Sequence, residues 1–300
     1  MAVSFLVAFF FWPRVTVITG QTMGTTFSVK YYSRRPYLKP ILTHKIQTEL
    51  DRLIQIFSTY EPGTEIQDLN TATNAGPFLL SDDMRIVLAY ALSVSQQTNG
   101  AYDSTIEPIY ALWGFKDHDI KRPDSDLLAS VRQTVGYKQV DLVGNMLTKP
   151  VGIQFDLSSI AKGYAVDQVG EILAKKVANF MVEIGGEVYA QGQSPRGQAW
   201  SIGIEDPDDP SQLNTVVSLE NQALATSGTY RNYAVINSVT YPHIIDPRTG
   251  YPVQHHRKAV SVIAPSCMIA DAWATALLVD NNLAIPDSIQ VYYNNTSSEK

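Results

Sequence analysis

Residues 152–167 read GIQFDLSSIAKGYAVD and change period midway. Ile153, Phe155 and Leu157 alternate with Gly152, Gln154 and Asp156, the period-two pattern of a half-buried strand. Beyond Ser158-Ser159, Ala161, Ala165, Val169 and Ile172 fall roughly on one helical face. The pattern predicts a strand, a turn with a serine N-cap, and a helix reaching about Val177. Asp156 would then end the strand, and Lys162 would lie in the first turns of the helix. A helix N-terminus carries unpaired N–H groups and partial positive charge, which suit a phosphate. Read alone, the same residues fit equally well a carboxylate that caps a turn and a solvated lysine.

Downstream, Phe180 to Gly192 reads as two strands joined at Gly185-Gly186, where adjacent glycines allow a close backbone approach. Strands follow over residues 198–205 and 215–220. Thr226-Ser227-Gly228 reads as a turn whose hydroxyls could meet phosphate. Residues 241–252, YPHIIDPRTGYP, read as a hairpin: a strand through His243, a turn at Asp246 to Gly250, and a returning strand over 260–264. A strand histidine is by itself usually structural. Met268 to Val279 is an apolar helix with one charge, Asp271. A buried carboxylate is expensive unless it is paired or binds a cation. Thr275, four residues on, shares its face. Together they form half of an oxygen-ligand site for Mg²⁺, unless Asp271 merely caps a helix that starts there.

Upstream, Val15–Ile18 and Thr25–Tyr32 are β-rich runs with Met23-Gly24 between them. The Met23 thioether could pad a planar ring, although such a residue is more often core. A helix is expected over 43–57 and another over 81–98, the latter N-capped by Ser81 and stopped by Asn99-Gly100. Tyr60 lies in the loop between them and could stack on an aromatic ligand. Ala101 to Thr105 forms a loop with an acid and an aromatic, and a helix is expected over 126–135.

The chain has 300 residues and a net charge of −6, enough for an ample core and contrary to broad nucleic-acid binding. Its one cysteine, Cys267, allows no intramolecular disulfide and no cysteine-based zinc cluster. Met1 to Trp12, MAVSFLVAFFFW, is apolar but too short to span a bilayer. We read residues 1–14 as an export or anchor-like segment and residues 15–300 as one domain. That reading implies a periplasmic or inner-membrane-associated protein facing the periplasm, with membrane association through the N-terminus. The alternative is a buried first strand. P-loop, GxGxxG, GxSxG and HExxH motifs are all absent from the sequence.

Several segments together resemble the ApbE-like FAD:protein FMN transferases: Gly20 to Thr25, Ser58 to Tyr60, Gly100 to Thr105 with Leu112 to Phe115, and Asp156 to Asp167. Glu183 to Glu187, Trp200 with Gly203 to Pro207, Thr226 to Gly228, His243 to Gly250 and Ala270 to Thr275 continue the series. They fall in the family's order across roughly residues 18–280. The resemblance implies a Mg²⁺-dependent enzyme that takes FAD as substrate and passes FMN to a threonine of a partner flavoprotein, such as a redox-pump subunit, releasing AMP. It places FAD contacts on Met23, Tyr60, Ala101, Tyr102, Asp103, Asp156, Lys162 and Ile245. It places the metal on Asp271, Thr275 and a main-chain oxygen near Ser159. His243 is our candidate for the base that takes the acceptor's proton. Position 274 is alanine where some relatives have an acid, which leaves one carboxylate ligand.

Two other functions use the same residues. An FAD pyrophosphatase would let water attack and give FMN and AMP. A non-catalytic flavin-binding protein would need no metal at Asp271 and Thr275. The expected fold is mixed α+β: largely antiparallel sheets with helices packed outside, in a single ApbE-like domain.

Overall fold

The computed structural model describes residues 14–209, 211–230, 232–255 and 257–295. Residues 1–13, the bulk of the export or anchor-like segment read from the sequence, lie outside this range. In chain order the strands are β1 (Arg14–Thr22), β2 (Thr25–Ser33), β3 (Phe78–Leu79), β4 (Asp141–Val143), β5 (Met146–Thr148), β6 (Phe180–Ile184), β7 (Glu187–Gln191) and β8 (Trp200–Glu205). They continue with β9 (Leu213–Leu219), β10 (Gln222–Gly228), β11 (Tyr233–Ile236), β12 (Val239–Pro242), β13 (Ile245–Asp246), β14 (Tyr251–Pro252), β15 (Arg257–Ala264) and β16 (Gln290–Asn295). The helices are α1 (Leu38–Phe57), α2 (Glu65–Thr71), α3 (Asp82–Gln97), α4 (Glu107–Leu112), α5 (Ser125–Val131), α6 (Ser158–Ala174) and α7 (Cys267–Val279).

Seven strands form one sheet in the order β1-β2-β6-β7-β10-β15-β16, and every neighbouring pair is antiparallel. The fold is thus α+β, as the sequence led us to expect. One face of the sheet carries the main core, in which Phe27, Val29, Val182, Ala225 and Val262 meet apolar faces of α1, α3, α6 and α7. The β8–β9 hairpin covers part of the other face, packing Trp200, Ile204, Val217 and Leu219 on Val188, Leu224 and Ile263. Alternation along the strands divides the two cores: in β10, Ala223 and Ala225 face the helices and Leu224 faces the hairpin.

Packing between α6 and α7 sets the geometry of the site. Asp167 of α6 accepts hydrogen bonds from the N–H groups of Cys267 (2.7 Å) and Met268 (2.9 Å) at the start of α7. Asp271 of α7 in return accepts one from the Gly163 N–H (3.0 Å) of α6. Two helices rich in small residues are thereby clamped together at both ends of one contact. A Cβ on Gly163 would lie 2.4 Å from the Cys267 carbonyl oxygen, and backbone there cannot rotate aside. Gly163→Ala is expected to destabilise the fold by about 1–3 kcal/mol through overpacking. A denaturant melt checks this, and an unchanged midpoint would mean the helices separate freely.

The structure corrects four local readings. Residues 153–157 form no strand although Ile153, Phe155 and Leu157 are buried; among the described residues Gln154 makes one isolated parallel bridge, to Ile106. No serine caps α6: Ser158 is already helical, and the Asp156 carboxylate accepts its N–H (2.8 Å). Thr226-Ser227-Gly228 is strand rather than turn, because β15 pairs with it as far as Gly228. The strand returning from the 246–250 turn is Tyr251–Pro252, while 257–264 belongs to the large sheet. Among smaller differences, α5 ends at Val131 and continues as a short 3₁₀ turn, and α6 ends at Ala174.

Candidate active site

A cavity of about 350 Å³ opens where the N-terminal turns of α6, the end of β10 and the middle of α7 converge. It is lined by Ala101, Tyr102, Asp103, Asp156, Ser159, Lys162, His243, Ile245, Asp271 and Thr275, all singled out from the sequence. The other two, Met23 and Tyr60, line an adjoining cavity of about 550 Å³ with Phe57 and His118. Asp156, Ser158 and Lys162 border both cavities, so the start of α6 forms the ridge between them.

The side chains differ in what they can offer. Met23 is held at φ 47° in the β1–β2 turn beside Gly24 at φ 71°, which fixes its direction. Tyr60 is 68% exposed, on a loop tied down by the Ser58 hydroxyl, which accepts from the Tyr60 and Glu61 N–H groups. Tyr102 is buried, and its hydroxyl accepts from the Ser159 hydroxyl at 3.2 Å. Burial pushes the Tyr102 phenol well above its ordinary pKa.

Asp103 already has protein partners on both oxygens. One accepts from the N–H and hydroxyl of Thr105, and the other from the Tyr137 N–H at 2.9 Å. It therefore anchors the loop that presents Ala101 and Tyr102. Removing it would strand buried donors, so Asp103→Ala is expected to lower stability by about 2–4 kcal/mol. Chemical denaturation reads this directly, and a loss below about 1 kcal/mol would show that the loop is held by other contacts.

The centre of the first cavity is a buried charge cluster. The Lys162 ammonium meets a Glu187 carboxylate oxygen at 2.5 Å, and Asp271, only 4% exposed, lies in the same cluster. Burial opposes the Lys162 charge, but Glu187 and Asp271 outweigh it and raise its pKa. Burial also raises the Asp271 carboxyl, against the pull of Lys162 and the Gly163 N–H. Two carboxylates share one ammonium, so the fully ionised cluster is one positive charge short. The second Glu187 oxygen is buried without a hydrogen-bond partner.

Asp271 lies inside α7, whose N-cap is Ser266, so it is not itself a cap. The N–H of Gly163, which a regular helix would give to the Ser159 carbonyl, is directed at Asp271. Thr275, one turn beyond Asp271, has its hydroxyl 2.9 Å from that of Ser227 on β10. Asp271, Thr275, Ser227 and Ser159 make an oxygen-only donor set, the chemistry of a hard divalent cation that completes its shell with phosphate oxygens. Among the described residues no group of three or more His, Cys, Asp or Glu side chains could hold a metal without such help.

His243 sits between β12 and β13, half-buried on the cavity wall. The Asn232 carbonyl accepts from both its backbone N–H and its Nδ1, each at 3.0 Å. A carbonyl can only accept, so Nδ1 carries the proton and Nε2 keeps its lone pair. Burial holds its pKa below the usual 6.5.

Sequence reading gave no role to Glu187. Its signal was an acid directly after Gly185-Gly186 in an apolar strand pair. In the sequence Ser227 stands in a Thr-Ser-Gly run of turn composition whose hydroxyls suit a phosphate, with no sign of the Thr275 contact.

The ApbE family pattern matches residues 23–292. The chain is 37% identical over 287 residues to the FAD:protein FMN transferase of Vibrio cholerae, covering 91% of this chain and 85% of that one. It is 38% identical over 281 residues to the Haemophilus influenzae FAD:protein FMN transferase, covering 89% and 81%. Among solved structures, the Pseudomonas stutzeri flavinyl transferase ApbE in its apo form superposes with a TM-score of 0.83 at 32% identity, covering 94% of this chain and 95% of that one. The Thermotoga maritima ApbE protein superposes with a TM-score of 0.85 at 26% identity, covering 93% and 94%.

Proposed function

Because the chain belongs to the ApbE family and is an FAD:protein FMN transferase, we propose that its reaction requires Mg²⁺ and attaches FMN to a threonine hydroxyl of an acceptor flavoprotein, releasing AMP. The observation that carries this reading is the oxygen donor set of Asp271 and Thr275, placed beside Lys162 on the ridge between two cavities. FAD has two aromatic ends joined by a pyrophosphate. A molecule of that shape would seat one end in each cavity and its phosphates on the ridge.

The residues fit a magnesium ion. The cluster lacks one positive charge, and its available donors are all oxygen. Asp271, Thr275 and the main-chain oxygen near Ser159 would hold the ion, which supplies positive charge to the pyrophosphate oxygens. Lys162 presents a second cation to those phosphates. Met23 and Tyr60 would cover a ring in the outer cavity. Ala101, Tyr102 and Ile245 wall the inner one, on the loop that Asp103 anchors. Asp156, at the α6 N-terminus, can accept from an FAD hydroxyl on either side.

In the transfer step the acceptor's hydroxyl oxygen forms a bond to the FMN phosphorus. The phosphoanhydride bond to AMP breaks, and AMP leaves with the electron pair. The hydroxyl proton passes to His243 Nε2. Displacement at phosphorus needs charge neutralisation and positioning more than covalent help, in keeping with the absence of a cysteine or histidine nucleophile from this reading.

The test is to incubate the protein with FAD and Mg²⁺, with and without a candidate acceptor flavoprotein, and to follow AMP and protein-bound flavin. AMP together with labelled acceptor supports transfer. AMP with free FMN and no labelling points to the pyrophosphatase, and tight FAD binding without AMP points to a binding protein. We also place the enzyme in the periplasm or on the inner membrane facing it, from the apolar run over residues 1–12, and take a redox-pump subunit as the acceptor from the family resemblance. Cell fractionation that finds it wholly in the cytosol would reverse this. None of the described helices is long and apolar enough to cross a membrane.

A further inference from the structure

The β6–β7 hairpin ends before its neighbour does. β7 pairs with β10 only from Ala190–Gln222 to Val188–Leu224, because β7 turns into β6 at Gly185-Gly186. On its other edge β10 stays paired with β15 through Gly228. The ladder thus ends at Val188–Leu224, and Ala225 to Gly228 pair with no strand on the β7 side among the described residues. The catalytic cavity lies on the helix side of this bare edge, where Ser227 meets Thr275. On the opposite face a groove of about 440 Å³ lies between the sheet and the β8–β9 hairpin. Val188, Trp200, Ile202 and Leu224 wall it, with Lys30 and Glu183 also in its lining. Gly185 and Thr226 border both spaces, so the two meet at the gap in the sheet.

We propose that the acceptor polypeptide docks at this gap as an added strand along Ala225–Gly228, with its flanking side chains in the groove. The proposal rests on the transferase reading above. A bare strand edge offers backbone donors and acceptors to an extended segment of any sequence. At about 3.3 Å per residue, four residues of edge hold a comparable length of acceptor. Successive side chains of that segment point to opposite faces. A hydroxyl residue directed to the helix face enters the catalytic cavity near Thr275. The residues just before and after it then point into the groove, whose apolar walls suit small or apolar side chains. FAD seated on the ridge at Lys162 leaves this side of the cavity to the second substrate, and that substrate is a protein. None of the residues proposed to hold FAD lines the groove.

The test uses the whole enzyme, FAD and Mg²⁺. The acceptor is a folded, flavin-free carrier protein with a short C-terminal segment that holds one central threonine among randomised residues. Carriers that acquire covalent flavin are recovered and their segments sequenced. Selection for apolar or small residues should be strong at the positions adjacent to the threonine and weak two residues away. Ile202→Glu should raise the acceptor KM by about tenfold, the scale of one well-buried interface contact, while kcat at saturation stays close to wild type. A second measurement does not depend on how that variant folds. Cys267 is fully buried, so a bulky maleimide should label only the new thiol of a Lys30→Cys enzyme, at an exposed position on the groove side of β2. Labelling should block transfer to the carrier in the same preparation that was active before it. Uniform selection along the segment, selection two residues away, or full transfer after labelling would each overturn the docking site. AMP release with no labelled carrier at all would instead remove the transferase reading.

Discussion

Asp271→Asn should cut FMN transfer by about three orders of magnitude, because it removes the one carboxylate of the proposed magnesium site. Stabilisation of phosphoryl charge by a metal is worth several kcal/mol, and about 4 kcal/mol corresponds to a thousandfold in rate. The asparagine keeps the size of the side chain and an oxygen for the Gly163 N–H, so the α6–α7 contact should persist. Stability separates the charge effect from collapse of the site. Burial raises the Asp271 pKa above its unfolded value. A raised carboxyl contributes stability that is fully present below the unfolded pKa and is lost as pH rises through the folded pKa. At neutral pH without metal the wild-type charge is therefore a burden, and Asp271→Asn should melt no lower than wild type. Magnesium should then raise the melting temperature of wild type and leave the variant unmoved, since a ligand stabilises only the state that binds it. Equal shifts in the two proteins would put the metal elsewhere, whatever the activity.

Much of this architecture is legible in the sequence where local pattern and tertiary context agree. The Ser81 hydroxyl accepts from the Met84 N–H, and α3 runs from there to the Asn99-Gly100 stop, both residues having positive φ. Leu50, Leu53 and Phe57 are buried along α1 as their spacing required. Errors arise where a distant segment decides. Ile153, Phe155 and Leu157 alternate because every second side chain enters the core, which an irregular segment achieves here without a strand. Thr226-Ser227-Gly228 has turn composition, yet the β15 partner extends it as a strand. That misreading also conceals the β10 edge, since an unpaired edge exists only relative to where β7 stops. Glu187 illustrates the limit for the site. An acid beside two glycines is unremarkable until the fold sets it 2.5 Å from Lys162.

The role of His243 can be separated from that of the metal by its pH signature. His243→Ala should lower the transfer rate at neutral pH by about 10²–10⁴-fold, the usual contribution of a positioned general base. FAD affinity should change little, because the side chain is proposed to act on the acceptor's proton. The wild-type rate needs neutral imidazole. It should hold as pH falls to the depressed pKa of His243, below 6.5, and then drop by one proton's dependence. The variant should lack that limb and respond to pH only through other groups. The Asn232 carbonyl sharpens the argument, since by accepting from Nδ1 it leaves Nε2 as the basic atom. His243→Gln fills much of the same space but cannot take up a proton at these pH values, so it should resemble the alanine variant in rate. Rescue by glutamine would make His243 a positioning residue, and full-rate transfer by His243→Ala would end its assignment as the base. AMP release to water in the same assay discriminates further. If that reaction falls in parallel with transfer, His243 serves either nucleophile and the acceptor is chosen elsewhere, at the β10 edge. If it persists while transfer falls, the imidazole acts specifically on the protein hydroxyl.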